Sequence, residues 1–289
     1  MVTYLSKTAV HRIVFVTSFC AAGFCSVVTS AALIREQIRW CVNEHSEFSI
    51  ELQIKGCTAV IRSGRWAGKS LAWAFGNRGN AYVDKGYYDL AIADFTEGIR
   101  LNHKFANAYW ARGIAYEDKK DYNRAIADYT EAIRLNPKFA SAYVGRGNTY
   151  NDMKDYDRAI ADYTEAIGLD PTFTFAYNSR GNAYNDKKNY DHAIADFSKA
   201  IRINPKFASA YVGRGNAYND KKEYDRAIAD FDQAIKLAAN LAPAYVLRGS
   251  AYEHKGEKKR AIADYRKAIT LQPGDPMATA GLKRLGSTP

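Results

Sequence analysis

One phrase returns through most of the chain at a fixed interval. RGNAY, RGIAY, RGNTY, RGNAY, RGNAY and RGSAY place Arg at 78, 112, 146, 180, 214 and 248, in equal steps. A second phrase, AIAD, keeps the same step, with its first Ala at 91, 125, 159, 193, 227 and 261. Self-similarity at such a period means a stack of like supersecondary units, none of which can bury its apolar face alone. Six units of equal length fill Ala72 to Asp275 without insertion, as 72–105, 106–139, 140–173, 174–207, 208–241 and 242–275. The 21 Tyr, against 4 Trp and 3 Met, are what the copying of one motif produces, and only 7 Pro leave room for helices.

Each unit reads as two helices. In 106–139, Tyr109, Gly113 and Tyr116 share one helical face. Ala125, Ile126, Tyr129, Ala132 and Ile133 share another, at the i, i+3, i+4, i+7 spacing of an amphipathic helix. Asp118-Lys119-Lys120-Asp121 separates the two, and Asn136-Pro137 stops the second, because Pro cannot continue a helix. Gly113 and Ala125 are small where the helices would cross. The six repeated arginines are matched in turn by Asp94, Asp128, Asp162, Asp196, Asp230 and Asp264, always at the same offset. That register predicts structural ion pairs at helix interfaces, with an anion-binding Arg row as the other reading.

Aromatic, Gly, Tyr, Ala, aromatic, Ala and Pro at these offsets resemble the tetratricopeptide repeat, over residues 72–275 of the chain. Arg before the Gly, Gly98 in an Ala position, and His103 and Ala239 in the Pro position depart from the family pattern. The resemblance implies an all-α, right-handed superhelical solenoid of helix-turn-helix repeats, in which the first helix of each unit lines a concave groove. Carried onto this chain, the inward positions hold no Lys or Arg. They hold Asn80, Asn148, Asn182 and Asn216 in one row and Asn151, Asn185 and Asn219 one turn on. Asp84, Asp118, Asp152, Asp186, Asp220, Glu117 and Glu253 supply acid, and Trp73, Trp110 and Phe175 supply apolar anchors. A row of Asn resembles the asparagine ladders of peptide-binding solenoids: each amide offers an acceptor and two donors to an extended main chain. The other reading is that copied repeats carry copied Asn, solvated or bonded to a neighbouring unit. The cations of a carboxylate clamp are missing from these positions, which speaks against capture of a free C-terminus.

The first residues tell of export. Lys7 and Arg12 precede an uncharged run from Ile13 to Ile34. With small residues at Val28-Thr29-Ser30 and Ser30-Ala31-Ala32, residues 1–32 read as a secretory signal. Left uncut, the same run is long enough to anchor the chain in the inner membrane. Phe19 and Phe24 stand where a lipoprotein signal needs a small residue. Both outcomes place the repeats outside the cytoplasm, in the periplasm of a bacterial envelope. Cleavage removes Lys7 and Arg12 and takes the net charge from +10 to +8. Two cysteines then remain, Cys41 and Cys57, an even count that in an exported chain reads as a disulfide. Residues 33–71 read as a degenerate repeat-like hairpin, with Cys41 in the eighth position of the repeat frame and Cys57 in the twenty-fourth. At the other end, 276–289 read as a capping helix and tail, opened by Asp275-Pro276.

Nothing in the chain spells catalysis. Gly64-Arg65-Trp66-Ala67-Gly68-Lys69-Ser70 has three residues between its glycines, where a phosphate loop needs four. His11, His45, His103, His192 and His254 are scattered without metal-ligand spacing. The expectation is therefore no enzyme, no metal and no cofactor. A pI near 9.3 permits nucleic-acid contact, but phosphate binding needs cations on the contact face. Here Lys119-Lys120, Lys187-Lys188 and Lys221-Lys222 lie in turns, and Arg124, Arg158 and Arg226 on second helices. Proteins or peptides, and no nucleic acid, are the expected partners of a scaffold that binds peptide segments in its groove. The alternative is an accessory subunit that localises an enzyme or an anionic envelope polymer through its basic outer face.

Overall fold

The computed structural model describes residues 24–44 and 46–288, and every element among them is helical. Most of the run read as a signal, together with His45, lies outside the described residues. No helix of the described residues is long and apolar enough to cross a membrane. The fold divides into two units, Met1–Lys120 and Asp121–Pro289.

The first unit holds α1 (Phe24–Val42), α2 (Ile50–Arg62), α3 (Lys69–Asp84), α4 (Tyr88–Leu101) and α5 (Ala106–Asp118). The second holds α6 (Tyr122–Leu135), α7 (Ala140–Asp152), α8 (Tyr156–Leu169), α9 (Thr174–Asp186) and α10 (Tyr190–Ile203). It continues with α11 (Ala208–Asp220), α12 (Tyr224–Leu237), α13 (Ala242–His254), α14 (Lys258–Leu271) and the short α15 (Pro276–Arg284). Within each unit successive helices pack as hairpins, and the first helices of neighbouring repeats lie side by side.

The sharp turn between the two helices of a repeat is a Schellman cap. Lys188 N–H bonds to the carbonyl of Asn185 and Asn189 N–H to that of Tyr184, both at 2.8 Å. The cap needs one left-handed residue. Gly86 and Gly256 supply it at φ 73 and 77°, but Lys120, Lys154, Lys188 and Lys222 supply it at 60–63°. An L residue there costs roughly 1–2 kcal/mol, which the flanking helix packing offsets. Side-chain oxygens of Asp121 and Asp155 then accept from the N–H of Arg124 and Arg158 and open the next helix.

Small residues bring the helices together around one ring per repeat. Phe95, Tyr129, Tyr163, Phe197, Phe231 and Tyr265 are at most 1% exposed. In the second unit, Phe197 sits between Gly181 of its own repeat and Gly213 of the next; a Cβ added at those glycines would stand 2.8 and 2.4 Å from the ring. Gly281 of α15 meets Tyr265 in the same way, so the capping helix takes the place of a further first helix and closes the stack.

The Arg ladder is structural, and more elaborate than the Arg–Asp register alone announces. Arg78, Arg146, Arg180, Arg214 and Arg248 each grip their Asp with two parallel bonds of 2.7–2.8 Å. Their remaining Nη1 reaches back to the preceding repeat-like hairpin or repeat: Thr58, Thr130, Thr164 and Ser198 accept at 3.0 Å and Asp232 at 2.5 Å. Arg112 makes the same backward bond to Thr96 at 2.9 Å. Each guanidinium also lies over an aromatic ring of its own helix, for example Arg180 over Tyr177 at 5.8 Å. The row is occupied on every side and does not serve as an anion site.

A second ladder, exposed, joins neighbouring repeats. Lys119 pairs with Asp89, Lys187 with Asp157, Lys221 with Asp191 and Lys255 with Asp225. At the one step where Met153 replaces the Lys, Asn123 replaces the Asp. Exposed pairs contribute little each, but they neutralise the first lysine of each turn doublet, Lys119, Lys187 and Lys221.

At the N-terminus, Cys41 of α1 and Cys57 of α2 form a buried disulfide with Cα atoms 4.4 Å apart. It replaces the glycine–ring contact of a regular repeat. The hairpin stacks like one: Thr58 takes Arg78, and Glu51 takes Lys85. The connector 63–68, with Gly64 and Gly68 at positive φ, follows a helix and not a strand, which leaves no phosphate loop. The cross-link closes a short loop, with a sequence separation of 16, so its loss is expected to destabilise the hairpin by about 3 kcal/mol in the chain-entropy view. Cys57→Ser should therefore lower the unfolding midpoint, and the wild type in reductant should fall to the same value. Equal midpoints with and without reductant would contradict this.

Candidate functional site

The groove of the second unit is built by α7, α9, α11 and α13, of which α7, α9 and α11 carry the Asn rows. The two rows are not equivalent. Asn148 is held from within, because the hydroxyl of Tyr163 donates to its Oδ1 at 2.8 Å. The repeats that follow have Phe197 and Phe231 in place of that Tyr, so Asn182 and Asn216 keep their amides free of that bond. Asn182 is exposed and Asn216 half-buried. They line a cleft of about 370 Å³ with Asn178, Ser209, Val212, Gly213, Leu241, Pro243 and Leu247. Amides and a hydroxyl thus share the lining with aliphatic side chains, a mixture of apolar surface and a few polar groups that binding sites use.

One turn on, Asn151, Asn185 and Asn219 are half-buried. Their Oδ1 atoms, and that of Asn178, are shut off from solvent and have no donor among the described residues. The amide of Asn185 instead bonds to Asp220 of the next repeat. Asp152, Asp186 and Asp220 are exposed at the end of each first helix. Desolvation by the surrounding groove raises the Asp186 and Asp220 carboxyls above the ordinary carboxylate range, opposed only at Asp220, by the Asn185 bond. Phe175 is 59% exposed and meets Phe207 edge-on at 5.0 Å between centroids.

The C-terminal end of this groove is closed. Arg284 of α15 donates to both carboxylate oxygens of Glu253, at 2.8 and 2.9 Å, and the Tyr265 hydroxyl donates to the same group at 2.7 Å. Burial and the Glu253 carboxylate push the Tyr265 phenol up, while Arg284 holds Glu253 below its usual range.

In the first unit, Asn80 and Trp110 line a smaller cleft of about 280 Å³ with Val83, Asp84, Ala111 and Ile114. Asp118 is exposed at the end of α5. Trp73 is half-buried and packs against the cluster of Cys41, Cys57, Val60 and Ala74 beneath the disulfide hairpin. Asn178 and the aliphatic residues of the larger cleft were not singled out by the repeat pattern. Asn178 is the sole Asn of its repeat position, so no row announces it. The described residues hold no group of His, Cys, Asp and Glu fit for a metal ion.

Profiles described as tetratricopeptide repeat match residues 140–173, 174–207, 208–241 and 242–275, and one described as TPR repeat matches 79–120 and 118–153. No curated protein matches the sequence. Among solved structures, the chain is similar to a tetratricopeptide repeat protein from Parabacteroides merdae ATCC 43184, at 22% identity and TM-score 0.69, over 88% of this chain and 99% of that one. It is similar to YrrB, described as a TPR protein with an unusual peptide-binding site, at 23% identity and TM-score 0.51, over 65% and 97%. It is also similar to MamA, at 29% identity and TM-score 0.50, over 55% and 94%. With the matched repeats running unbroken from 79 to 275, the chain belongs to the tetratricopeptide repeat family, whose members serve as scaffolds for interaction between proteins.

Proposed function

We propose that the groove of the second unit binds an extended peptide segment of a partner protein, without catalysis, in an exported scaffold. The observation that carries this reading is the cleft between α9, α11 and α13, which Asn178, Asn182 and Asn216 line together with Val212, Leu241, Pro243 and Leu247. Amides can recognise main chain of any sequence, and the aliphatic residues beside them take side chains. The buried Cys41–Cys57 disulfide supports an oxidising compartment, as the N-terminal run does. Alkylation of intact cells should leave both thiols unmodified; labelling of either would place the chain in a reducing one.

The outer face supports the alternative less. Lys119, Lys187, Lys221 and Lys255 are matched by Asp89, Asp157, Asp191 and Asp225, and Arg124, Arg158 and Arg226 by Asp121, Asp155 and Glu223, which leaves Lys120, Lys154, Lys188 and Lys222 as the turn cations outside any ion pair among the described residues.

The test is binding of a peptide array to the full chain, read by fluorescence anisotropy. Each lost hydrogen bond is worth about 0.5–1.5 kcal/mol. Asn182→Ala/Asn216→Ala should therefore weaken bound peptides roughly tenfold and leave the unfolding midpoint in place. Asn148→Ala should instead lower the midpoint, because Tyr163 loses its acceptor. Unchanged affinity in the double variant would rule the groove out.

A further inference from the structure

We propose that the segment bound along the second unit is cationic, its Arg and Lys side chains meeting the row Asp152, Asp186 and Asp220. This rests on the groove reading above and names the chemistry of its ligand. The argument starts from how acids are used elsewhere in the same unit. On the helix interfaces Asp162, Asp196, Asp230 and Asp264 are each gripped by an Arg. On the outer side Asp157, Asp191 and Asp225 each hold a Lys. At the turns Asp155, Glu223 and Glu257 each take an Arg. The three groove acids stand at one position of three successive repeats, and enter no ion pair among the described residues. Asp84 holds that position in the first unit and lines the cleft there with Trp110.

Three further observations agree on the sign. The solvent-sheltered side-chain atoms without a partner, on Asn151, Asn178, Asn185 and Asn219, are all oxygens, hence acceptors. Asn151, Asn185 and Asn219 directly precede the three groove acids, so the hydrogen-bonding need left unmet beside the row is for donors. The Asp186 and Asp220 carboxyls are partly desolvated with no cation opposite, a cost that an incoming guanidinium or ammonium relieves. Finally, the groove already accepts one guanidinium. Arg284 occupies in α15 the position that Asn216 holds in α11, two repeats earlier, and it forks onto Glu253 at 2.8 and 2.9 Å.

Three peptide pools of about a dozen residues, identical except for Arg, Gln or Glu at fixed positions, separate the possibilities by anisotropy with the full chain. The Arg pool should bind at least tenfold more tightly than the Gln pool, lose that lead as salt is raised, and bind more tightly than the Glu pool by a wider margin. Asp152→Asn/Asp186→Asn/Asp220→Asn should cut Arg-pool affinity tenfold or more with an unchanged circular dichroism spectrum. Asp191→Asn/Asp225→Asn, which removes two outer acids, should not. Equal binding of the Arg and Gln pools, lost in Asn182→Ala/Asn216→Ala, would overturn the cationic inference and leave the groove reading standing. Binding of no pool would overturn both. A concentration-dependent dimer in sedimentation that excludes the peptides would give the groove to a second copy of the chain, and would also overturn the inference.

Discussion

Asp196→Ala should destabilise the second unit by about 3–5 kcal/mol, the usual penalty for stranding one member of a buried ion pair. The carboxylate is 9% exposed at its side chain and the guanidinium of Arg180 18%. Both Asp oxygens are engaged at 2.8 Å, and the guanidinium left behind stays charged, because an arginine does not deprotonate inside a protein. Because Arg180 also holds Thr164 of the preceding repeat, the damage extends to the interface between repeats. In a stack whose stability sums unit and nearest-neighbour terms, that broadens the denaturant transition as well as lowering its midpoint. Arg180→Met/Asp196→Ala, which removes both charges, should recover most of the loss. A single variant within about 1 kcal/mol of wild type would show that the pair is solvated in practice.

Phe197→Ala should cost about 3–5 kcal/mol through lost burial and the cavity left behind. The ring is 0% exposed and lies close against both Gly181 and Gly213. The reverse change is also unfavourable: Gly213→Ala sets a methyl 2.4 Å from the ring and should cost about 1–3 kcal/mol by overpacking. Combined with Phe197→Ala, the same Gly213→Ala should cost nothing or stabilise, since the methyl now fills empty space and Ala favours the helix. A double-mutant cycle in urea measures this coupling. Additive effects would mean that ring and glycine do not meet.

Much of the repeat was legible because the contacts that define it recur at fixed offsets. The even step between phrases located each helix pair, the constant Arg-to-Asp offset located Arg180 and Asp196, and the frame that put Cys41 and Cys57 in facing positions anticipated their bond. What escaped lay in chemistry that one residue type does not announce. The backward bonds of the Arg ladder fall on Thr, Ser or Asp, three residue types with one hydrogen-bonding role, so no single letter repeats. The exposed ladder left its trace only in the joint change to Asn123 and Met153. Asn148 and Asn182 look alike in sequence, yet a Tyr across the hairpin claims one and a Phe leaves the other. Trp73 carried the mark of an anchor, and its packing against the disulfide hairpin was hidden because that hairpin is a degenerate repeat. Lys188 in a left-handed cap, where its counterparts Gly86 and Gly256 satisfy the same geometry without strain, shows packing overriding local preference.

The most direct test of the groove as the binding surface is the side-chain amide spectrum of the full chain, recorded by NMR while a bound array peptide is titrated in. The amide groups of Asn178, Asn182 and Asn216 should shift together and saturate at one equivalent, while those of Asn136 and Asn204, at the ends of second helices, stay in place. Shifts confined to Asn136 and Asn204, with the cleft amides unmoved, would put the peptide on another surface and contradict the account.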